Sequence, residues 1–546
     1  MLTRKEVLKI LSTIPAGGLL AGGLLESAVG GPVTPDLASE SESITSGPLS
    51  IGPNLFRSIN VEPLINCRGT FTIIGGSIEH PHVKAAMSAA SNNFIQYDEL
   101  ADGIGARLAE LTGAEWGVVT AGCAAALKHF TAACVTGGNP EKLIRIPDLT
   151  GFEKTEVIMP RHSRNAYDHA IRNVGIKLIT IDTEEELLNS MNSRTAMICL
   201  MSGRTGELGL KNVARHAKPL GIPILVDAAA EDLTIPNVHL EEGADVVAYS
   251  GGKALCGPQC SGLLLGDKNL LMSAWQASSP HHGPGRDNKV GREEMIGALA
   301  AVEAWVMRDQ EEVWERWLSY LDTIAKRVET INGISTSVHE PEGLNNKSPR
   351  LDIIWDQQRF NVTGAQVAEI LGRTKPRIAV GSRDQDGTAS INVTAGQMQP
   401  GEDDIVANRV HEVMSQRHSG MPEMKQPAAD ITGRWNVDVD FFSSQSQHKL
   451  FIEQQDGNWV QGSHQGDFST RDMAGTIDGN EVKLVSTDRK PGDQLTYIFI
   501  GNLNGDELSG RIFMGEYLNA NFKAEKHAYP GRRRQILVPG GPPLAT

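Results

Sequence analysis

Two residues that follow neighbouring apolar segments could carry out chemistry together. Asp227 comes directly after the apolar residues 222–226, and Lys253 follows a second apolar run through the turn Ser250-Gly251-Gly252. A lysine amine can bind an aldehyde covalently, and a carboxylate can keep a pyridine nitrogen protonated. The pair therefore predicts a pyridoxal 5'-phosphate site, with Lys253 and Asp227 as its catalytic residues.

The cofactor phosphate would need hydrogen-bond donors close to this pair. The apolar run at residues 116–120 ends in Ala121-Gly122-Cys123, and an alanine-rich helical pattern covers residues 124–134. The first N–H groups of a helix lack intrahelical partners and attract anions. Gly122 and Cys123 are therefore predicted to bind the phosphate, with Ser250 close by.

Short apolar segments that alternate with helical patterns must position these residues. Such segments are typical of parallel strands buried on both faces, and parallel sheets bind ligands at the carboxyl ends of their strands. The predicted strands are residues 116–120, 156–159, 177–181, 196–201 and 222–226. The sequence thus predicts an α/β fold with a mostly parallel central sheet.

The motifs around Asp227 and Lys253 resemble those of a known enzyme family. The stretch Asp227-Ala228-Ala229-Ala230-Glu231, followed by Ser250-Gly251-Gly252-Lys253 and by residues 254–262, resembles the fold-type I pyridoxal-phosphate enzymes. Within that family it is most similar to the selenocysteine synthase (L-seryl-tRNA selenium transferase) branch, as are residues 66–70 and 286–294. The resemblance spans roughly residues 60–415 and implies a large cofactor domain followed by a small α+β domain.

The resemblance also implies roles for further residues. His162 would lie against the cofactor ring, with His169 as the competing candidate, and Ser202 would contact the cofactor near its 3' oxygen. Arg377 would bind a substrate carboxylate, although pairing with a surface acid explains it equally well. Arg286 lies in a Pro/Gly-rich loop that either completes an active site or faces solvent, and Arg286 and His169 are the further candidates for substrate binding.

Structural roles compete with these chemical ones. Asp227 could be a helix N-cap, Lys253 a solvated lysine in a turn, and each histidine an ordinary surface residue. The joint spacing of Asp227 and Lys253 favours the chemical interpretation for that pair.

Composition limits the classes of function. The chain has 546 residues and a net charge of -15, from 51 Lys+Arg against 66 Asp+Glu. Proteins that bind nucleic-acid backbones usually carry the opposite balance, so nucleic acid is not an expected partner. The six cysteines form no CxxC pair, and neither a metal site nor a disulfide framework is predicted.

The two ends of the chain predict further segments. A basic start, a weak apolar run and a small-residue exit predict an export signal at residues 1–30, which resembles a twin-arginine signal with one arginine replaced by lysine. Export to the periplasm is expected, with an ordinary secretory signal, an uncleaved anchor, or a disordered leader on a cytoplasmic protein as the alternatives. No stable membrane span is expected after signal removal.

The remaining chain predicts the following organisation. A linker covers residues 31–50, the large domain with its N-terminal arm 51–300, the small domain 301–416, and a second linker 417–430. Alternating residues with Asp-Gly and Asn-Gly turns at 431–526 predict antiparallel hairpins that close into a barrel or a sandwich, resembling lipocalin-like appendages. Residues 527–546 form a tail.

These features predict an enzyme that acts on a small amino-acid-like substrate through an α-carbanion. Elimination (a lyase) or β-replacement suits the resembling branch best, and a homodimer or higher homo-oligomer is expected. An aminotransferase, a racemase and a non-catalytic amino-acid sensor remain alternatives. Selenium transfer on tRNA is disfavoured by the acidic charge and by the predicted export.

Overall fold

A computed structural model describes residues 49–420 and 423–528 of the chain. The predicted export signal, the first linker up to residue 48 and the tail beyond residue 528 lie outside the described residues. The chain divides into two compact units, with the main boundary after Met421.

The first unit is built on a seven-stranded sheet and a four-stranded sheet. Its strands are β1 (Ile65–Asn66), β2 (Trp116–Thr120), β3 (Glu156–Pro160), β4 (Lys177–Ile181), β5 (Thr195–Met201), β6 (Ile224–Asp227), β7 (Val246–Ser250), β8 (Gly262–Gly266), β9 (Ile334–His339), β10 (Arg350–Asp356), β11 (Ile378–Ala379), β12 (Gly381–Gln385) and β13 (Thr388–Thr394).

Helices connect these strands. They are α1 (Pro81–Ala90), α2 (Tyr97–Thr112), α3 (Cys123–Thr136), α4 (Pro140–Leu143), α5 (Asp168–Arg172), α6 (Glu184–Ser190), α7 (Leu210–Ala217), α8 (Val238–Glu241), α9 (Lys268–Ala277), α10 (Arg292–Met307), α11 (Gln310–Val328), α12 (Gln357–Phe360), α13 (Gly364–Arg373) and α14 (Glu402–Ser415).

The large sheet has the order β2-β8-β7-β6-β5-β3-β4. Its strands from β7 to β4 pair in parallel, and β8 pairs antiparallel with both of its neighbours. Every residue of β2, β3, β6 and β8 is buried, as expected for strands covered on both faces. The predicted α/β fold with a mostly parallel sheet is confirmed.

The small sheet has the antiparallel order β12-β13-β10-β9. Strand β10 alternates buried Leu351, Ile353 and Trp355 with partly exposed neighbours, the period of a sheet with one packed face. The two-residue strands β1 and β11 pair in parallel, so Ile65 and Asn66 are joined to this part of the unit.

The second unit is a closed antiparallel barrel of eight strands. They are β14 (Gly433–Asp440), β15 (Gln445–Asp456), β16 (Trp459–Gln465), β17 (Thr470–Asp478), β18 (Glu481–Lys490), β19 (Asp493–Asn504), β20 (Glu507–Phe513) and β21 (Asn519–Lys526).

The barrel follows from the alternation and from its turns. Trp435, Val437 and Val439 of β14 are buried while the residues between them are exposed. Gly457, Gly479 and Gly505, in the turns that the sequence predicts, have φ of 58°, 57° and 61°, the left-handed values that glycine adopts without strain. The barrel is confirmed, and the alternative of a sandwich is not.

Among the residues that the structure describes, no helix has the length and apolar composition needed to cross a bilayer.

Candidate active site

Asp227 lies at the carboxyl end of β6, deep within the first unit. It is 5% exposed, and its Oδ1 accepts a hydrogen bond from the Ala229 N–H at 3.1 Å and one from Cys123 Sγ at 3.7 Å. Burial raises the pKa of the Asp227 carboxyl, although the Ala229 N–H and the charge of Lys253 oppose the rise. A buried carboxylate of this kind gains from a cationic N–H partner.

Lys253 lies in the turn after β7, near enough to Asp227 and Cys123 for its charge to act on the pKa of both. Its side chain is partly buried, and its ammonium group has no hydrogen bond or ion pair with any residue that the structure describes. The amine is therefore not committed to a structural contact, as a lysine that binds an aldehyde requires.

Close packing explains the two glycines before Lys253. A Cβ on Gly251 would stand 2.0 Å from Ser261 Oγ, and a Cβ on Gly252 would stand 2.5 Å from the Cα of Gln259. The Gly251 N–H also donates to the Ser261 carbonyl at 2.8 Å. Both glycines thus hold the lysine turn against residues 258–261.

The N-terminus of α3 faces the same edge of the sheet. The helix begins at Cys123 and has no side-chain cap, and its N-cap Gly122 has φ 89° with nothing within 4 Å of the position of a Cβ. The first N–H groups of α3 therefore have no partner within the helix and remain able to bind an anion. Gly262 of β8 makes this turn possible, because a Cβ there would lie 2.4 Å from the Gly122 carbonyl carbon.

Cys123 contributes to the site in two ways. Its side chain reaches Asp227, and burial raises the pKa of its thiol well above the usual value, so that the sulfur stays protonated as a donor. Its backbone N–H is left to take part in anion binding at the helix terminus.

A narrow cavity lies where β3, β5 and β6 end. Its wall includes the side chains of Ser163, Asn165, Tyr167, Asp168, Cys199 and Asp227. Asp168 is satisfied within this wall by an ion pair with Arg164 and by the Asn165 N–H at 3.1 Å. Asp227 is thus the carboxylate of this wall that still favours a cationic partner.

These observations fit pyridoxal 5'-phosphate. A protonated pyridine nitrogen would supply the cation that Asp227 favours, the N-terminus of α3 would bind the phosphate, and the uncommitted amine of Lys253 would bind the aldehyde. The three groups come from β6, α3 and the turn after β7, which meet at one edge of the sheet.

The other residues predicted near the cofactor lie at the same sheet edge. His162 lies in the 3₁₀ turn Arg161–Ser163 after β3; it is exposed, and partial burial and the nearby Arg204 lower its pKa. The Ser202 N–H donates to the Asp227 carbonyl at 3.0 Å, and the Ser250 N–H donates to the Ala229 carbonyl at 3.3 Å. The roles of these side chains toward the cofactor stay predictions.

The three predicted substrate-binding residues lie in different settings. Arg377 donates from Nε to the Gly372 carbonyl at 2.7 Å and from Nη1 to the Glu62 carbonyl at 3.1 Å. Arg286 is exposed and contacts Ser279 Oγ at 3.4 Å, and the His169 side chain is 59% exposed. Their contact with a substrate stays a prediction.

Sequence reasoning missed most of the cavity wall. Asn165, Tyr167 and Asp168 follow β3 within a few residues of His162, the residue that the resemblance selected. Their position after a buried strand was the available signal, since ligands bind where parallel strands end.

Sequence reasoning also missed a buried acid–base pair close to Asp227. His239 and Glu231 are both buried, with 2.6 Å between His239 Nε2 and Glu231 Oε2. The charge of Glu231 adds to the rise in the pKa of Asp227.

The first unit has the fold of the fold-type I pyridoxal-phosphate-dependent enzymes, and Asp227, Lys253 and the open start of α3 fit a site of that class. Comparison with solved structures agrees: a D-glucosaminate-6-phosphate ammonia-lyase superposes with a TM-score of 0.60 at 24% identity, over 67% of this chain and 100% of that one. This likeness establishes the fold.

Sequence comparison then finds particular relatives. Over 303 residues the chain is 28% identical to D-glucosaminate-6-phosphate ammonia lyase of Salmonella typhimurium, covering 53% of this chain and 79% of that protein. Over 383 residues it is 25% identical to a 5'-C-glycyluridine monooxygenase-decarboxylase of a Streptomyces species, covering 67% of this chain and 93% of that protein.

The selenium transferase branch is a more distant relative. L-seryl-tRNA(Sec) selenium transferase of Hyphomonas neptunium is 29% identical over 251 residues, covering 40% of this chain and 51% of that protein. No family model matches the chain. The predicted resemblance to fold-type I enzymes, and to this branch among them, is confirmed.

Proposed function

We propose that the chain is a lyase that eliminates a group from the β-carbon of a small amino-acid-like substrate and releases ammonia. One observation carries this proposal: the uncommitted amine of Lys253 lies near the buried carboxylate of Asp227 in a chain related to an ammonia lyase over 79% of that lyase's length.

Each residue of the site would have a separate role toward the cofactor. When bound, pyridoxal phosphate withdraws electrons from the substrate α-carbon. Asp227 would keep a proton on the pyridine nitrogen, and the N–H groups at the start of α3 would bind the phosphate. Cys123 donates to Asp227 and so orients the carboxylate.

Lys253 would move the protons of the reaction. With substrate bound, the amine of Lys253 would be the base that takes the α-proton. The resulting ammonium can return that proton to the group leaving the β-carbon. A β-hydroxy amino acid would then yield a 2-oxo acid and ammonia, with no other reactant consumed.

The proposed reaction is tested by identifying products. Holoenzyme is incubated with a panel of amino acids and amino sugar acids, with and without phosphate groups, and ammonia and 2-oxo acids are measured. Stoichiometric release of both supports the lyase. Transfer of the amino group to an added oxo acid would establish an aminotransferase, and inversion alone would establish a racemase.

We also propose that the enzyme is a homodimer. Several large apolar side chains among the first fifty described residues are exposed, among them Ile51 at 93%, Ile73 at 67% and Phe94 at 99%. Large apolar side chains that remain exposed in this way favour an interface between proteins.

The dimer is tested by sedimentation. The wild-type chain should sediment at twice the mass of one chain, and Phe94→Glu should weaken this association. Phe468→Glu is the matched control, since Phe468 is 98% exposed in the barrel. A monomer at every concentration would contradict the proposal.

The export signal remains a proposal as well. It rests on the basic start and apolar run of residues 1–30. A mature periplasmic protein that begins near residue 30 would support it, and a full-length protein found in the cytoplasm alone would refute it.

A further inference from the structure

The barrel lumen contains a polar cluster beside the turn at residues 466–469. We name it the barrel-mouth cluster and define it as His448, His464, Arg471, Ser486 and Tyr497. The rest of the lumen is lined by large apolar side chains, such as those of Trp435 and Phe522. A buried polar group in such surroundings destabilises the fold unless it finds a hydrogen-bond partner.

Two histidines of the cluster are linked in a chain of hydrogen bonds. His464 Nδ1 lies 3.0 Å from Ser486 Oγ, and His464 Nε2 lies 3.0 Å from His448 Nδ1. Burial lowers the pKa of both rings, that of His464 to about 3, so both are neutral at neutral pH. His448 Nε2 is buried at the end of this chain and has no hydrogen-bond partner.

The Arg471 side chain reaches the same part of the barrel lumen as His448 Nε2. Its side chain is 8% exposed, its guanidinium carbon lies 4.9 Å from the centre of the Tyr497 ring, and its Nε and Nη1 are buried with no hydrogen-bond partner. Arg471 forms an ion pair with Asp488, whose Oδ2 lies 3.7 Å from Nε, beyond hydrogen-bond distance. A buried guanidinium with unsatisfied donors is costly, which favours an additional acceptor.

Gly466 shows that the unsatisfied groups face one small space. A Cβ on Gly466 would stand 3.1 Å from Arg471 Nη1 and 3.8 Å from His448 Nε2. Because residue 466 has no side chain, the space in front of both nitrogens is left open. An oxygen atom there could accept hydrogen bonds from the guanidinium and from the imidazole.

The charges around this space define the ligand. Asp467 and Asp488 lie nearer the solvent, 46% and 23% exposed, and Asp467 Oδ2 is 3.6 Å from His448 Nε2. These two carboxylates would repel a simple anion, whereas they would attract the cationic group of a molecule that carries both charges.

We propose that the barrel mouth binds a small zwitterion, whose carboxylate accepts hydrogen bonds from Arg471 and His448 and whose ammonium faces Asp467 and Asp488. The cluster belongs wholly to the barrel, and the proposal does not depend on the reaction of the first unit.

The test uses a zwitterion that cannot react with pyridoxal phosphate. N,N-dimethylglycine has a tertiary amine and cannot condense with an aldehyde, so its binding to full-length holoenzyme by calorimetry reports on other sites. Acetate and trimethylammonium are the single-charge comparisons. We expect saturable binding of dimethylglycine, about tenfold tighter than that of acetate.

Variants locate the site. Arg471→Met and Gly466→Ala should each weaken dimethylglycine binding by about tenfold or more, the second by filling the space. Arg511→Met, on the exposed outer face of the barrel, is the matched control, and near-ultraviolet circular dichroism checks that each variant is folded. Absence of saturable binding, or equal binding by all three variants, would overturn the proposal.

Discussion

Asp227 is held in a state that is unfavourable for an isolated carboxylate, beside a lysine that is not committed to a structural contact. Burial raises the pKa of Asp227, and Lys253 has no polar partner among the described residues. Stability does not explain the buried acid, because a solvated acid would cost less. A cofactor would supply a pyridine N–H for the acid and an aldehyde for the amine.

Asp227→Asn should separate catalysis from folding. The amide keeps the size of the carboxyl and can still accept from Ala229 and Cys123, but it cannot hold the pyridine proton. We expect kcat/KM to fall about a hundred- to ten-thousand-fold. The apo-protein should melt at the same or a higher temperature, since the raised pKa means that ionised Asp227 destabilises the fold at neutral pH.

Steady-state kinetics and calorimetric melting of the apo-protein measure the two effects. Asp232→Asn is the control: burial raises the pKa of Asp232 to about 6, but this residue does not line the cavity that Asp227 lines. Full activity in Asp227→Asn would contradict the assigned role.

At the scale of elements, the anion site depends on where α3 begins. The helix starts at Cys123 because Gly122 adopts φ 89°, and β8 can lie against this turn because residue 262 has no side chain. Helix and strand thus place a row of free N–H groups opposite the turn that carries Lys253.

Gly262→Ala should weaken cofactor binding. Its methyl group would come within 2.4 Å of the Gly122 carbonyl carbon and 2.6 Å of the Cys123 nitrogen, so the first turn of α3 must move. We expect the dissociation constant for pyridoxal phosphate to rise about tenfold or more, because N–H···phosphate hydrogen bonds depend on geometry.

A matched substitution shows whether any added methyl group has this effect. Gly103 lies exposed in α2 with nothing within 4 Å of a Cβ, so Gly103→Ala should leave cofactor affinity unchanged and stabilise the helix slightly. Equal cofactor affinity in the two variants, by absorbance titration of apo-protein, would show that the α3 turn does not bind the phosphate.

At the scale of the whole molecule, the barrel should respond to acid through its buried histidines. His464 has a pKa of about 3 in the fold against 6.5 as an ordinary histidine. Between these values the unfolded chain binds more protons than the folded barrel, so the free energy of unfolding falls as the pH falls through this window. From about pH 7 to about pH 5, His464 alone should remove about 2 kcal/mol.

Oxidation of a buried methionine can report the unfolding of the barrel within the full chain. Met473 is 2% exposed, and its oxidation by peroxide at increasing urea, read by mass spectrometry, reports barrel unfolding. The urea midpoint should drop at the lower pH in the wild type. It should drop less in His464→Gln, while His527→Gln at the end of β21 should behave as the wild type. A midpoint independent of pH would contradict the burial argument.

The sequence predicted the parts of this molecule that depend on local pattern. Buried apolar runs located the strands of the parallel sheet, and Asp-Gly and Asn-Gly turns located the barrel hairpins. Asp227 and Lys253 were singled out because Asp227 ends one strand and Lys253 lies in the turn after the next, where the topology of a parallel sheet determines the position of a side chain.

What the sequence did not predict depends on contacts between distant segments. Strand β8 pairs antiparallel with β2, and its residue Gly262 packs against the turn at Gly122. No local sequence pattern predicts that contact. The pairs His448–His464 and Glu231–His239 join residues whose proximity depends on strand register and loop path.

Covalent labelling identifies the amine that holds the cofactor. Holoenzyme is reduced with borohydride, which fixes pyridoxal phosphate to that amine, then digested and analysed by mass spectrometry. We expect one modified peptide with the label on Lys253, and none in Lys253→Ala. A holoenzyme labelled on another lysine, or a purified protein that takes up no cofactor, would refute the role of Lys253.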